Sequence, residues 1–271
     1  MLLKSKKIKF GLVLLGILSM SFGVGCTKGT SNINNENKKE ITVSAAASLT
    51  ESLKEIKENY EKDNKDIDIK LNLGASSKLR TQIEQGAKSD IFISANKKQY
   101  DILNEKGLIS EGKQILSNSI VLVVPKENPA NINSLEDLKK KNKLVIAEKE
   151  VPVGNYTLKV LEKLNSKYGK NFKESVLKNV VSKELDVKKV LSKVVLGEGD
   201  AAFVYYSDVT PKVKDKVKVI EIPKEYNIKA QYWMGILKSS KDKKEVKDLY
   251  DVLLNEKSKT VFKKYFFETV N

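Results

Sequence analysis

Ile41-Thr42-Val43-Ser44-Ala45-Ala46-Ala47-Ser48-Leu49-Thr50 is an apolar run that ends at small residues and a hydroxyl, then turns at once into a segment of helical periodicity. A serine at the start of a helix presents its hydroxyl beside the free amides of the first turn, where the helix dipole favours negative charge. A second junction of this kind follows at Leu73-Gly74-Ala75-Ser76-Ser77-Lys78-Leu79. Two serine-tipped strand-to-helix turns in one open α/β sheet can converge on a single small anion at the carboxyl edge of the strands.

Outward from these junctions, strands alternate with helices, the pattern of an α/β protein with parallel pairing. Strands are expected over 41–46, 67–73, 90–94, 119–125, 143–147, 201–205, 216–222 and 231–237. Helices are expected over about 49–64 and 78–86, through Leu103, from Pro152-Val153-Gly154-Asn155-Tyr156 onward, and over about 187–196, 242–254 and 258–266. Ser134 and Asp137 make a capping-box pattern. The strand at 119–124 leaves a first lobe and the one at 231–237 returns to it. This predicts lobe I over 40–119 plus 234–271 and lobe II over 120–233, with the ligand in the cleft between them.

The chain opens with Lys4, Lys6, Lys7 and Lys9, then an apolar run from Phe10 to about Met20, then small residues and the only cysteine, Cys26. The apolar run is too short to span roughly 30 Å of hydrocarbon, so residues 1–25 read as a signal peptide. Phe22-Gly23-Val24-Gly25-Cys26 resembles a bacterial lipobox, with Gly25 in keeping and Gly23 where leucine is usual. Acylation of Cys26 would anchor the chain to the outer face of the cytoplasmic membrane, with polar residues 26–39 as a flexible tether.

The net charge is +15; four of those charges are the lysines of the leader, and +11 remains on the rest. Most are lysines interleaved with glutamates on helix faces, such as Lys54, Lys57, Lys62 and Lys65 with Glu51, Glu55, Glu58 and Glu61, the mark of a solvated surface. Arg80 is the only arginine, which argues against nucleic-acid binding. The absence of histidine excludes histidine-dependent triads and histidine metal sites. No paired acids and no nucleophile with an evident base stand at the junctions, so an enzyme is not expected.

Ala45-Ala46-Ala47-Ser48-Leu49, Gly74-Ala75-Ser76, Ser89-Asp90-Ile91-Phe92-Ile93-Ser94-Ala95, Val151-Pro152-Val153-Gly154-Asn155-Tyr156 and Gly199-Asp200-Ala201-Ala202-Phe203-Val204-Tyr205 follow one another in this order. Together they resemble bacterial molybdate-binding proteins, the solute-binding subunits of molybdate ABC importers, over nearly the whole chain after the leader. The resemblance implies a two-lobed α/β periplasmic-binding-protein fold of type II, each lobe a mixed sheet flanked by helices. It implies a monomer that binds molybdate or tungstate without a cofactor and delivers it to a membrane permease and ATPase. Its implied ligand set is the hydroxyls of Ser48, Ser76 and Tyr205 with backbone amides at Ser48, Ser76, Val153 and Val187, all reaching the metal only through oxyanion oxygens.

Molybdate is a fully deprotonated tetrahedral dianion at neutral pH and can only accept hydrogen bonds. Neutral N–H and O–H donors satisfy it, while a protonated phosphate is left with a proton facing a donor, a mismatch of about 1–3 kcal/mol. Sulfate must be rejected by cavity size, and tungstate is nearly isosteric. A receptor for another tetrahedral oxyanion, or an anion sensor without a transporter, stays open as the alternative. Ser77 adjoins Ser76, and the resemblance implies Ser76, because its spacing to Gln82-Ile83 matches the family's pattern. Asp186 is expected to cap the helix opening at Val187 and to face away from the anion; Gly154 is expected to permit a close turn. Lys78 and Arg80 are expected to steer anions from the rim.

Overall fold

A computed structural model describes residues 38–270. The signal segment, Cys26 and the tether through residue 37 lie outside the described residues. β1 (Lys39–Ala46) runs parallel between β2 (Ile67–Gly74) and β3 (Ile91–Ser94), and α1 (Thr50–Asp63) and α2 (Ser76–Glu84) make the connections. Lys39 pairs with Ile67, so the strand takes in the last residue assigned to the tether. After α3 (Lys97–Glu105), β4 (Ile109–Asn118) joins the same sheet through β10 (Ala230–Leu237), which is antiparallel to both β3 and β4. With the short β11 (Glu268–Thr269), the six-stranded order is β11-β4-β10-β3-β1-β2.

The second sheet has the order β7-β6-β8-β5-β9. Its strands are β5 (Ile120–Pro125), β6 (Leu144–Ala147), β7 (Val180–Glu184), β8 (Ala201–Tyr205) and β9 (Val217–Glu221). β6 lies parallel between β7 and β8, connected through α4 (Pro152–Tyr168), α5 (Phe172–Leu177) and α6 (Val187–Val195). β5 is antiparallel to β8 and β9. Parallel pairing thus holds wherever strand and helix alternate. Antiparallel pairing enters through the strands next to the two crossings between sheets, which makes both sheets mixed. α7 (Lys244–Leu254) and α8 (Glu256–Lys264) close the chain against the first sheet.

The two sheets meet at Ser119, the single residue between β4 and β5, and the chain re-enters the first sheet at Ala230, ahead of the residue 234 drawn from the sequence. Parallel central strands are covered on both faces and so are apolar along their length; Ile91, Phe92 and Ile93 of β3 and Ala201 to Val204 of β8 are all fully buried. β4 and β7 are strands that periodicity did not predict. Ser110 to Lys113 of β4 are exposed and polar, and β7 is a half-exposed edge strand. The Ser134/Asp137 box forms by half. The Asp137 carboxylate accepts from the N–H and the hydroxyl of Ser134, each at 2.9 Å, so that hydroxyl is spent on the carboxylate instead of capping an amide. Among the described residues, no helix is long and apolar enough to cross a membrane.

Candidate functional site

A cavity of about 20 Å³ lies at the carboxyl ends of β1, β2, β3, β6, β7 and β8. Its lining includes Ser48, Ser76, Val153, Val187 and Tyr205, so all five predicted positions meet in one place although they come from five separate junctions. Ser77 is not part of the lining. A larger surface groove of about 630 Å³, lined by α1, α7 and α8 residues such as Tyr60, Asp63 and Asp248, contains none of the five.

Ser48 sits in a short 3-10 turn, Ala47–Leu49, between β1 and α1. Its hydroxyl caps nothing: it lies 2.8 Å from the Tyr232 hydroxyl, and both residues are buried. Ser76 opens α2, again without a capping role, and its Oγ accepts the Ala95 N–H at 3.0 Å. An oxygen that accepts from a backbone amide keeps its own proton free, so Ser76 can donate into the cavity.

Tyr205, the last residue of β8, is 1% exposed, and its hydroxyl is buried without a hydrogen-bond partner among the described residues. Burial pushes the phenol well above its ordinary pKa, with Tyr232, Tyr156 and Asp208 acting in the same direction. At neutral pH it is therefore an uncharged donor. Tyr206 turns outward and is exposed. The Tyr205 N–H donates to Asp208 Oδ2 at 3.2 Å, which fixes the end of the strand.

The other predicted positions lie at two helix starts, and Asp186, expected to face away from the anion, is itself among the lining residues. α4 starts with Pro152 at its first position, so Val153 and Gly154 carry the first free amides, and no side chain caps them. A Cβ on Gly154 would stand 2.1 Å from the Glu148 carbonyl oxygen and 2.5 Å from that of Ala147. The glycine is needed for this close approach of the helix to the end of β6. α6 starts at Val187, and Asp186 accepts the Lys189 N–H at 3.0 Å. The acid therefore caps the helix and leaves the amides of Val187 and Lys188 unused by it. The Tyr156 hydroxyl donates to the Ala95 carbonyl at 3.4 Å, tying α4 to the end of β3; burial pushes its pKa up to about 12.

No lysine or arginine side chain lines the cavity. Arg80 is engaged by Glu84 and by Gln99 Oε1 at 2.8 Å, and Lys78 is exposed on α2. Among the described residues, no cluster of three or more acidic, histidine or cysteine side chains is placed to hold a metal ion. The arrangement offers uncharged donors from two serines, a tyrosine and two helix starts, a set suited to a small, fully deprotonated anion. Sequence reasoning did not single out Tyr232, Tyr156 or Lys188. All three lie in apolar or amphipathic runs whose periodicity shows only that they face inward.

A family model of bacterial extracellular solute-binding proteins matches residues 41–268. YvgL of Bacillus subtilis, provisionally named an ABC transporter substrate-binding lipoprotein, is 35% identical over 263 residues, 96% of this chain and 98% of that protein. The molybdate-binding protein ModA of Escherichia coli is 30% identical over 237 residues, 84% of this chain and 88% of its own. Among solved structures, the substrate-binding domain of a Clostridium difficile protein provisionally named a molybdenum ABC transporter matches with a TM-score of 0.64. Its identity is 34%, covering 86% of this chain and 99% of that one. The periplasmic molybdate-binding protein of Azotobacter vinelandii has the same fold, with a TM-score of 0.74 at 17% identity over 85% of this chain and 100% of its own. The chain belongs to the bacterial extracellular solute-binding protein family.

Proposed function

We propose that this chain is the molybdate-binding subunit of an ABC importer. The observation that carries the proposal is the Tyr205 hydroxyl, fully buried and unpartnered, on a residue that lines the same cavity as Ser48, Ser76, Val153 and Val187. A buried hydroxyl without a partner costs about 1–3 kcal/mol, a cost removed when it donates to a bound oxyanion. Ser48, Ser76 and Tyr205 supply hydroxyls, and Val153 and Val187 supply amides. Molybdenum is reached only through the oxygens, so the site is a receptor for cargo and holds no resident cofactor. The relatives named for molybdate support the same ligand.

The six-stranded sheet with its helices forms lobe I and the five-stranded sheet with its helices forms lobe II, hinged at Ser119 and in the stretch between β9 and β10. Ser48 and Ser76 come from the first, Val153, Val187 and Tyr205 from the second. The anion favours closure because only the closed pair presents both sets of donors. The closed form is the one handed to a permease, with an ATPase driving release. Cys26 after an export leader, together with the lipoprotein relative, supports lipid anchoring outside the cytoplasmic membrane. Neutral donors without a base or nucleophile support binding and no catalysis.

Isothermal titration of residues 27–271 with molybdate, tungstate, sulfate and phosphate tests the reading. One-to-one binding of molybdate and tungstate with no heat from sulfate or phosphate is expected. Preference for sulfate or phosphate, or no binding by any of the four, overturns it.

A further inference from the structure

We propose that Asp208 is a positioning residue for the bound oxyanion: its carboxylate holds the end of β8 with one oxygen and the start of α6 with the other, and so sets Tyr205 and the Val187 amide against the same ligand. The inference rests on Tyr205 and Val187 being anion ligands, as in the reading above.

Asp208 closes the single turn, Tyr206–Asp208, that follows β8. Its Oδ2 accepts the Tyr205 N–H at 3.2 Å, three residues back, in a bond whose direction is fixed because a backbone N–H can only donate. Oδ1 takes no hydrogen bond among the described residues and stands 3.2 Å from the Lys188 ammonium, in the first turn of α6 directly after Val187. One side chain thus holds the backbone of one proposed ligand and the neighbour of another.

A turn needs no charge to close it. The hydroxyl of a serine or the carbonyl of an asparagine would accept the Tyr205 N–H without an ion having to be buried. The Asp208 side chain is fully buried, and a carboxylate in that position is costly unless a cation compensates it. What the charge adds is a hold on Lys188. The ammonium so held is absent from the cavity lining although its residue adjoins Val187, and the donors facing the anion stay uncharged. α6 packs against both β8 and the turn after it. Apolar packing is non-directional, whereas an ion pair between the helix start and the strand end fixes where one stands against the other.

Molybdate titrations of Asp208→Ala and Asp208→Asn, each with and without Tyr205→Phe, separate the two oxygens. Asp208→Ala releases the Tyr205 backbone and Lys188 together. Its expected loss is about tenfold to thirtyfold in the wild-type background and less than about fivefold beside Tyr205→Phe. Asp208→Asn keeps an acceptor for the Tyr205 N–H and gives up only the charge, so a loss of about twofold to fivefold is expected in both backgrounds. Equal losses from Asp208→Ala with and without the Tyr205 hydroxyl, or wild-type affinity in both Asp208 variants, overturn the positioning role and leave the site reading intact. Wild-type affinity in Tyr205→Phe removes Tyr205 from the site and overturns both. Should Asp208→Ala fail to fold, Lys188→Met/Asp208→Asn removes the two charges as a pair. Its melting temperature is expected close to wild type and its molybdate affinity about tenfold lower. Wild-type affinity, or a loss no larger than that of Glu51→Gln at the other partner of Lys188, overturns the proposal.

Discussion

The Lys188 ammonium lies 2.9 Å from the Glu51 carboxylate, an ion pair that ties the first turn of α6 to the first turn of α1 and so joins the two sheets beside the cavity. On its other side Lys188 stands 3.2 Å from Asp208, whose side chain is fully buried. Burial works against the charge on Lys188, but Asp208 and Glu51 outweigh it and raise its pKa. The lysine follows Val187 directly, so the pair closes on the segment proposed to present an amide to the anion.

Removing one member of a buried pair costs about 3–5 kcal/mol because the other is left uncompensated. Lys188→Met strands Asp208 and is expected to lower unfolding stability by about that much in urea titrations, with Lys188→Met/Asp208→Asn recovering most of it. Glu51→Gln leaves Asp208 paired and should spare stability while weakening molybdate binding about twofold to fivefold. Unchanged affinity in Glu51→Gln would show that the pair plays no part in closure.

Tyr205→Phe separates binding from folding. The variant removes a buried hydroxyl that has no partner in the protein. The melting temperature without anion should hold or rise, while molybdate affinity falls about tenfold to a hundredfold, the range for a hydrogen bond to a charged acceptor. Differential scanning calorimetry with titration calorimetry reads both, and a drop in melting temperature with intact affinity would assign Tyr205 to packing alone.

Gly154→Ala forces a methyl group against the carbonyl oxygens of Glu148 and Ala147. Overpacking of this kind costs about 1–3 kcal/mol. Because the start of α4 must shift, a loss of anion affinity should accompany the loss of stability, measurable in the same pair of experiments.

Asp90 gives the fold its acid sensitivity. Its buried carboxylate accepts from Ser240 Oγ at 2.6 Å, from Lys243 Nζ at 2.7 Å and from the Thr42 N–H at 2.7 Å. Burial alone would raise its pKa, yet these three partners hold it below the ordinary 3.8. A depressed folded-state pKa means stability that is complete above 3.8 and lost as pH falls through the folded value. Asp90→Asn should therefore cost about 3 kcal/mol at pH 7, with the two unfolding curves converging below that window. A constant difference down to pH 2 would contradict the assignment.

Ser48 and Ser76 could be read from the chain because each sits where a strand stops at small residues and a helix begins, whereas Val153, Val187 and Tyr205 came from the resemblance alone. The buried partner of Ser48 was out of reach. Ala230, Tyr232, Met234 and Ile236 alternate along β10 as plain core, and only folding brings Tyr232 to Ser48 across 184 positions. β4 escaped for another reason. Ser110-Glu111-Gly112-Lys113 faces water, so the strand exists by virtue of its ladder with β10, and nothing in its own periodicity marks it. Val153 and Val187 are a third kind of case. Their side chains are ordinary buried valines, and their use depends on where a helix starts, which Pro152 and the Asp186 cap signal.

The return of β10 to the first sheet also orders events during synthesis. Ile91 pairs with Ile236, and all five strands of the second sheet lie between them. Once Glu221 has left the ribosome, the second sheet has every strand it needs, whereas β3 keeps an unpaired edge until Ala230 to Leu237 emerges. Closing so long a loop is slow unless the intervening chain is already compact. The serine-bearing side of the cavity is made first and finished last.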